Sequence, residues 1–314
     1  MAAAQDDYNL NHMPILFNRR QFLWTTAAAA QSTSEWGGPV LDIHLHPRRQ
    51  EDGELDHING SGVTKAVLLT GSAMADRAKA VVAKNPERFV WFVGADMTKP
   101  DALDVLRKNL AAGAVGLGEL KSHVACDGPE MRTVYSLAAE MRVPVLIHFA
   151  DFPQFEGEGV WNSGIVRFPA VVKANPKTVF IGHGDALWAN TSADVPDGVP
   201  YPTGRIKPGG VSDRMLSEYP NFYGDLSANS GRNFLNRDRD FAAKFVERHR
   251  AKLMFGCDCS CRDGHGAGQS SKQPLIAGKC VARETLSALK GMTSAGLFRQ
   301  IVWQNGTKLI GIRG

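Results

Sequence analysis

The sequence predicts an α/β fold, a single-domain (β/α)8 barrel, and three observations predict it. Eight short apolar runs recur from about residue 38 onward, and amphipathic stretches separate them. Polar residues of the metal-binding kind gather at the ends of several runs. Runs rich in Val, Ile, Leu and Phe suit parallel strands buried on both faces, and their alternation with helices implies right-handed crossovers. Eight such units in one chain favour closure into a barrel over an open sheet.

The runs are residues 40–46, 64–71, 89–97, 114–121, 144–149, 178–184, 222–227 and 253–260. After the second, a helix over 75–84 ends at Asn85-Pro86, since the residue before a proline is pushed out of helical geometry. A helix over 101–112 opens on Asp101, an acidic cap, and one over 131–142 stops before Val143-Pro144. Residues 163–174 again end at Asn175-Pro176. Segment 234–250 sets Phe234, Phe241, Phe245 and Val246 near helical spacing, and 294–310 does the same with Leu297, Phe298, Ile301, Val302 and Leu309. Long connections at 150–162, 185–208 and 259–280 follow strands, and such loops build the working face of a barrel. Trp161, Trp188 and Tyr201 are available there as apolar wall, or simply to pack the loops down.

Residues 1–30 read as a twin-arginine export signal, leaving 31–314 as the barrel domain. Asn18-Arg19-Arg20-Gln21-Phe22-Leu23 carries the paired arginines, and Ala28-Ala29-Ala30 before Gln31 suits a small-residue cleavage site. The expected location is periplasmic or exported; a disordered tail on a cytoplasmic protein is the alternative. No stretch reaches the roughly 20 apolar residues needed to span a bilayer.

Hydrophobic content of 43% and charged content of 22% are those of an ordinary soluble enzyme. The formal charge of +4 is spread without a Lys/Arg block, which argues against a nucleic-acid partner and leaves a small-molecule substrate. Five cysteines, an odd number, do not frame a disulfide scaffold. Cys257, Cys259 and Cys261 could share one strand face; they read as small buried residues, with a metal or redox role as the alternative.

The strongest local signal is His44-Leu45-His46. Two histidines at i and i+2 of a strand project to one side, and imidazoles on one face suit a borderline divalent ion. His148 ends the fifth run, His183 the sixth and Asp258 the eighth, while Glu119 and Lys121 end the fourth. Ligand-type residues at the same end of several strands converge on one rim.

Over roughly residues 38–312 the chain resembles the amidohydrolase-related family of metal-dependent TIM-barrel enzymes. The resemblance rests on His44-x-His46, Pro144-Val-Leu-Ile-His148, His183-Gly, Pro220-Asn-Phe-Tyr-Gly-Asp-Leu-Ser227, Phe255-Gly-Cys-Asp258, and the closing segment with Asn305. It implies His44, His46 and Asp258 as metal ligands and His148 as a further one. His183 would serve a second ion or act catalytically. The family uses a carboxylated Lys or a Glu on the fourth strand; here Glu119 and Lys121 are both present, and Glu119 is the favoured ligand. Cys257 departs from the small or hydroxyl residue usual before the Asp.

These residues imply a hydrolase of a small-molecule amide, lactone or ester, using water activated by one or two divalent ions. Zinc is the default, with manganese or iron also fitting. Asp258 would serve as ligand and general base, with His183 beside it. A non-oxidative decarboxylase is the second reading, for which Arg205, Arg232, Lys207, His123 and His57 are the available substrate-binding candidates. The third is a non-catalytic metal-binding scaffold. Asp225 lines the pocket or bonds beneath it, and His249 reads as solvated. Oligomeric state is not encoded in these patterns.

Overall fold

The computed structural model describes residues 34–151, 163–195, 198–269 and 275–312. Residues 1–30 and Trp161 lie outside them. Ser32–Gly314 forms one compact unit. Eight parallel strands pair in chain order: β1 Leu41–Leu45, β2 Lys65–Gly71, β3 Phe89–Gly94, β4 Leu117–Leu120, β5 Val145–His148, β6 Phe180–His183, β7 Phe222–Asp225 and β8 Leu253–Met254. Closure between the last and first is made by two backbone hydrogen bonds. The Ile43 N–H donates to the Phe255 carbonyl at 3.1 Å, and the Asp258 N–H donates to the His44 carbonyl at 2.7 Å. Each run located a strand, but most strands stop short of the run, because the polar residues at its end already belong to the rim.

The helices are α1 Gly53–Ser61, α2 Ala75–Lys84, α3 Ala102–Ala111, α4 Pro129–Met141, α5 Phe168–Ala174, α6 Asp185–Ala189, α7 Val211–Glu218, α8 Ala228–Arg237, α9 Arg239–Arg248, α10 Val281–Met292, α11 Ala295–Arg299 and α12 Asn305–Ile310. A π turn over Gln300–Gln304 joins the last two. The helix expected over 234–250 is two helices broken at Asp238. That residue leaves helical geometry (φ −146°, ψ 85°), and its carboxylate accepts the Phe241 N–H at 3.2 Å, capping α9. The helix expected from 163 starts only at Phe168. Among the described residues, none of the helices is long and apolar enough to cross a membrane.

Alternation along the strands sorts the core into two layers. Leu41, Ile43, Val67, Leu69, Phe92, Leu146, Ile181 and Met254 fill the barrel interior, while residues between them in sequence, such as Leu68, Val93 and Phe180, pack outward on the helices. The chain's end covers the interior: Trp303, Leu309, Ile310 and Ile312 pack against it. Asn305 secures that segment to the start of β8, its amide donating to the Arg250 and Leu253 carbonyls at 2.6 and 2.7 Å.

Candidate metal centre at the barrel mouth

Two strand irregularities turn the ligand-type residues inward. Between Asp42 and Leu45, β1 carries one residue more than β2, where the partners are Ala66 and Leu68. Ile43 belongs to the inner layer and Leu45 to the outer, so the extra residue lets His44 follow Ile43 inward. β4 repeats the device: Leu117 and Leu120 oppose Val145 and Ile147, and both leucines pack outward. Glu119 thereby faces the mouth. Asp258 holds a left-handed backbone (φ 46°), a conformation Asp tolerates better than most residues, beyond the short β8.

His44, His46, Glu119, His183 and Asp258 thus meet at the mouth as two triads that share His44: His44, His46 and Asp258, and His44, Glu119 and His183. His46 Nε2 lies 3.3 Å from Asp258 Oδ1 and 3.5 Å from Glu119 Oε2. His44 Nε2 is 3.9 Å from each of those carboxylates, and His183 Nε2 is 3.6 Å from Glu119 Oε1 and 3.9 Å from Asp258 Oδ2. Two donors each about 2.1 Å from one ion stand roughly 3 to 4.2 Å apart, depending on the angle between them. All six separations fall inside that window. The Nε2 atoms of His44 and His183 are fully buried and have no hydrogen-bond partner among the described residues. Such orphaned acceptors are costly unless something else completes them. The donor set therefore fits a divalent cation.

The backs of the imidazoles are held by Asp225, for which the sequence offered a bonding role beneath the pocket, and by Ser227, which the sequence did not single out. Asp225 Oδ2 lies 2.7 Å from His44 Nδ1 and 3.3 Å from His183 Nδ1. Ser227 Oγ lies 2.8 Å from His183 Nδ1 and donates to Asp225 Oδ2 at 2.7 Å. His46 Nδ1 meets the Leu69 carbonyl at 2.9 Å. Burial alone would raise the Asp225 pKa, but the His44 charge and the bond with His183 outweigh it and bring it down to about 2. Burial likewise opposes protonation of His46, yet Asp258 and Glu119 hold its pKa well above the ordinary value. Trp188, a candidate wall residue, is instead buried: it stacks on Phe234 and donates from Nε1 to the Asp225 carbonyl at 2.9 Å.

His148 stands in the same mouth with Nδ1 2.5 Å from Glu119 Oε1 and Nε2 4.0 Å from Asp185 Oδ1. Lys121 lines the mouth together with Glu119. A cleft of about 350 Å³ opens beside them, lined by His46, Thr70, Asp96, Glu119, Lys121 and Ser122 among others. The other substrate-binding candidates are placed elsewhere. Arg232 pairs with Glu284 at 3.1 Å between α8 and α10. Arg205 and Lys207 are exposed, and Arg205 faces Asp238. His123 is exposed near Asp96, and His57 is buried on α1 beside cysteines. His249 is not solvated: it is 3% exposed and bonds Asp213 at 2.7 Å.

No family model and no curated protein matches the chain. Solved structures do. A probable 2-pyrone-4,6-dicarboxylic acid hydrolase of Acinetobacter baumannii with citric acid bound is 14% identical, with a TM-score of 0.57 over 88% of this chain and 100% of that one. A dihydroorotase of Campylobacter jejuni is 12% identical, with a TM-score of 0.55 over 88% and 84%. A 5-carboxyvanillate decarboxylase of Novosphingobium aromaticivorans, complexed with manganese, is 14% identical, with a TM-score of 0.52 over 84% and 80%. Identities of this size speak for the fold alone, a TIM barrel that these neighbours, hydrolases and decarboxylases alike, share.

Proposed function

We propose that this chain is a metal-dependent hydrolase that cleaves an amide, lactone or ester bond of a small molecule. The observation that carries the proposal is the pair of buried, unpartnered Nε2 atoms of His44 and His183 facing the Asp258 and Glu119 carboxylates. His44, His46 and Asp258 would hold the ion, with Glu119 and His183 completing the set. A bound divalent ion supplies Lewis acidity, lowering the pKa of water from about 15.7 to near 7 and polarising a carbonyl. Zinc suits imidazole and carboxylate donors, and manganese or iron fits the same set.

The hydrogen-bond network supports a role for each residue. Ser227 has one hydroxyl proton, and when it goes to Asp225, Ser227 Oγ accepts from the His183 Nδ1–H. The His44 Nδ1–H goes to the same Asp225 oxygen. Both Nε2 atoms then present lone pairs, which supports His183 in the donor set over a role in proton donation. Asp258, with a side chain 28% exposed, is the carboxylate at the solvent side. It accepts the proton of the attacking water and returns it to the leaving group. His148 fixes Glu119 from the other flank. The cleft over His46 and Lys121 receives the substrate, its volume being that of a small-molecule site.

Decarboxylation is the second reading, favoured by Lys121 in the cleft wall, an ammonium able to meet a substrate carboxylate beside Glu119. The decarboxylase neighbours share the fold. Carbon dioxide release against water-dependent cleavage separates the two. Asp258→Asn should fold normally and lose about 10²- to 10⁴-fold in kcat, the usual worth of a positioned general base. Full turnover in that variant contradicts the assignment. Tightly bound metal without turnover on esters, lactones, amides or carboxylic acids would instead indicate a scaffold.

A further inference from the structure

A second cluster of metal-type donors lies outside the mouth. Cys259 and Cys261 follow β8, Cys280 stands at the N-terminus of α10, and His57 comes from α1. All four are buried, and one ligand atom from each lies within 4.8 Å of every other. All the cysteines are free. Cys261 Sγ is 3.5 Å from His57 Nδ1, and Cys259 Sγ is 3.2 Å from Cys261 Sγ. Around a tetrahedral zinc with bonds of about 2.3 Å to sulfur and 2.0 Å to nitrogen, sulfur and nitrogen stand about 3.5 Å apart and two sulfurs about 3.8 Å. The first spacing is already met. The two sulfurs would part by about half an ångström, whereas a disulfide would require them to close to about 2.05 Å.

The surroundings are built for negative sulfur. The Val281 N–H, in the first turn of α10, donates to Cys259 Sγ at 3.3 Å. An amide donor at a helix N-terminus compensates thiolate charge on that sulfur. Behind the imidazole, His57 Nε2 faces Cys257 Sγ at 3.6 Å and the buried Asp42 carboxylate, whose Oδ2 has no partner among the described residues. A ligating histidine commonly gives its second N–H to such a carboxylate.

We infer that Cys259, Cys261, Cys280 and His57 bind a structural zinc ion, through three thiolates and His57 Nδ1. Binding displaces the three thiol protons, and the imidazole proton leaves Nδ1, giving up its 3.1 Å bond to the Cys261 carbonyl, for Nε2, facing Asp42. Soft thiolates select zinc over the harder divalent ions. All four positions are filled by protein, so the site is closed to substrate. It joins α1, α10 and the segment that begins one residue after Asp258, and so holds the mouth carboxylate from behind.

Cobalt loading of the full-length protein tests this directly. Cobalt in the cysteine site gives a near-ultraviolet sulfur-to-cobalt charge-transfer band, which cobalt in the mouth, among nitrogen and oxygen donors alone, does not; loss of the band in Cys280→Ser separates this site from Cys257. The band should be present in the wild type, persist in His46→Ala, and vanish in Cys280→Ser together with one equivalent of zinc. Its absence from the cobalt-loaded wild type overturns the proposal, whatever the variants do. So does an intact mass two hydrogens light, which marks a disulfide, or iron with labile sulfide in place of zinc.

Discussion

Asp225→Asn probes the mouth without removing a metal donor. Asp225 Oδ2 lies 2.7 Å from His44 Nδ1, and Oδ1 accepts the Ser227 N–H at 3.1 Å. An amide in its place must aim its NH2 at one of these. Facing His44, it donates to Nδ1 and drives the imidazole proton to Nε2, the atom aimed at the metal. Facing Ser227, it sets donor against donor. Losing the partner behind one ligating histidine typically costs 10- to 100-fold in metal affinity. Here one carboxylate serves two imidazoles, which places the effect at the upper end, about 100-fold or roughly 2.8 kcal/mol. Competition against a chelator reads it, with circular dichroism to verify the fold. Mouth-metal affinity within about twofold of wild type, in a folded variant, refutes the reasoning.

Gly256→Ala should reproduce that loss from the backbone side, because the added Cβ would sit 2.4 Å from Asp225 Oδ1 and 2.9 Å from His44 Cβ. An overpacking cost of about 1–3 kcal/mol should accompany it in denaturant titration. Asp213 is a structural control away from the metal. Burial raises its pKa, but bonds from His249 and Arg248 outweigh this and hold it below the ordinary value. A carboxylate whose folded pKa is depressed stabilises fully above its unfolded pKa of about 3.9, and that stability is lost as pH falls through the folded pKa. Wild type should therefore melt above Asp213→Asn near neutral pH and lose the advantage in acid; a gap independent of pH contradicts this. For export, we propose that replacing Arg19 and Arg20 together by Lys retains the full-length chain in the cytoplasm, while wild type yields a shorter form outside it. Fractionation and intact mass decide, and identical location and mass in both contradict the signal.

Much of the barrel was legible because burial on both faces writes each strand as an apolar run, whatever its partner. Several helices were legible from an apolar stripe, but α10 was passed over although Val281, Leu286 and Leu289 are buried on one face. α1 was not legible, since its buried face includes Glu54, His57 and Ser61 and leaves no stripe to read. The converging rim was legible from His44 to Asp258, since rim residues directly follow the runs. The devices that aim them were not. The extra residue in β1 exists only relative to its pairing with β2, and the same holds for β4 and β5. Ser227, two residues past Asp225, carried no periodic mark, though a carboxylate and a hydroxyl ending the seventh run were a signal of sorts. The cysteines were grouped by sequence as 257, 259 and 261, whereas the fold exchanges Cys257 for Cys280 and adds His57. Contacts between residues so distant in the chain have no local signature.

The central claim is that one divalent ion sits among the inward imidazoles and carboxylates of the mouth. Anomalous diffraction from metal-loaded crystals measures this most directly. The claim predicts a peak about 2.1 Å from His44 Nε2, His46 Nε2 and an Asp258 oxygen. Full metal loading with no peak among those three atoms contradicts it.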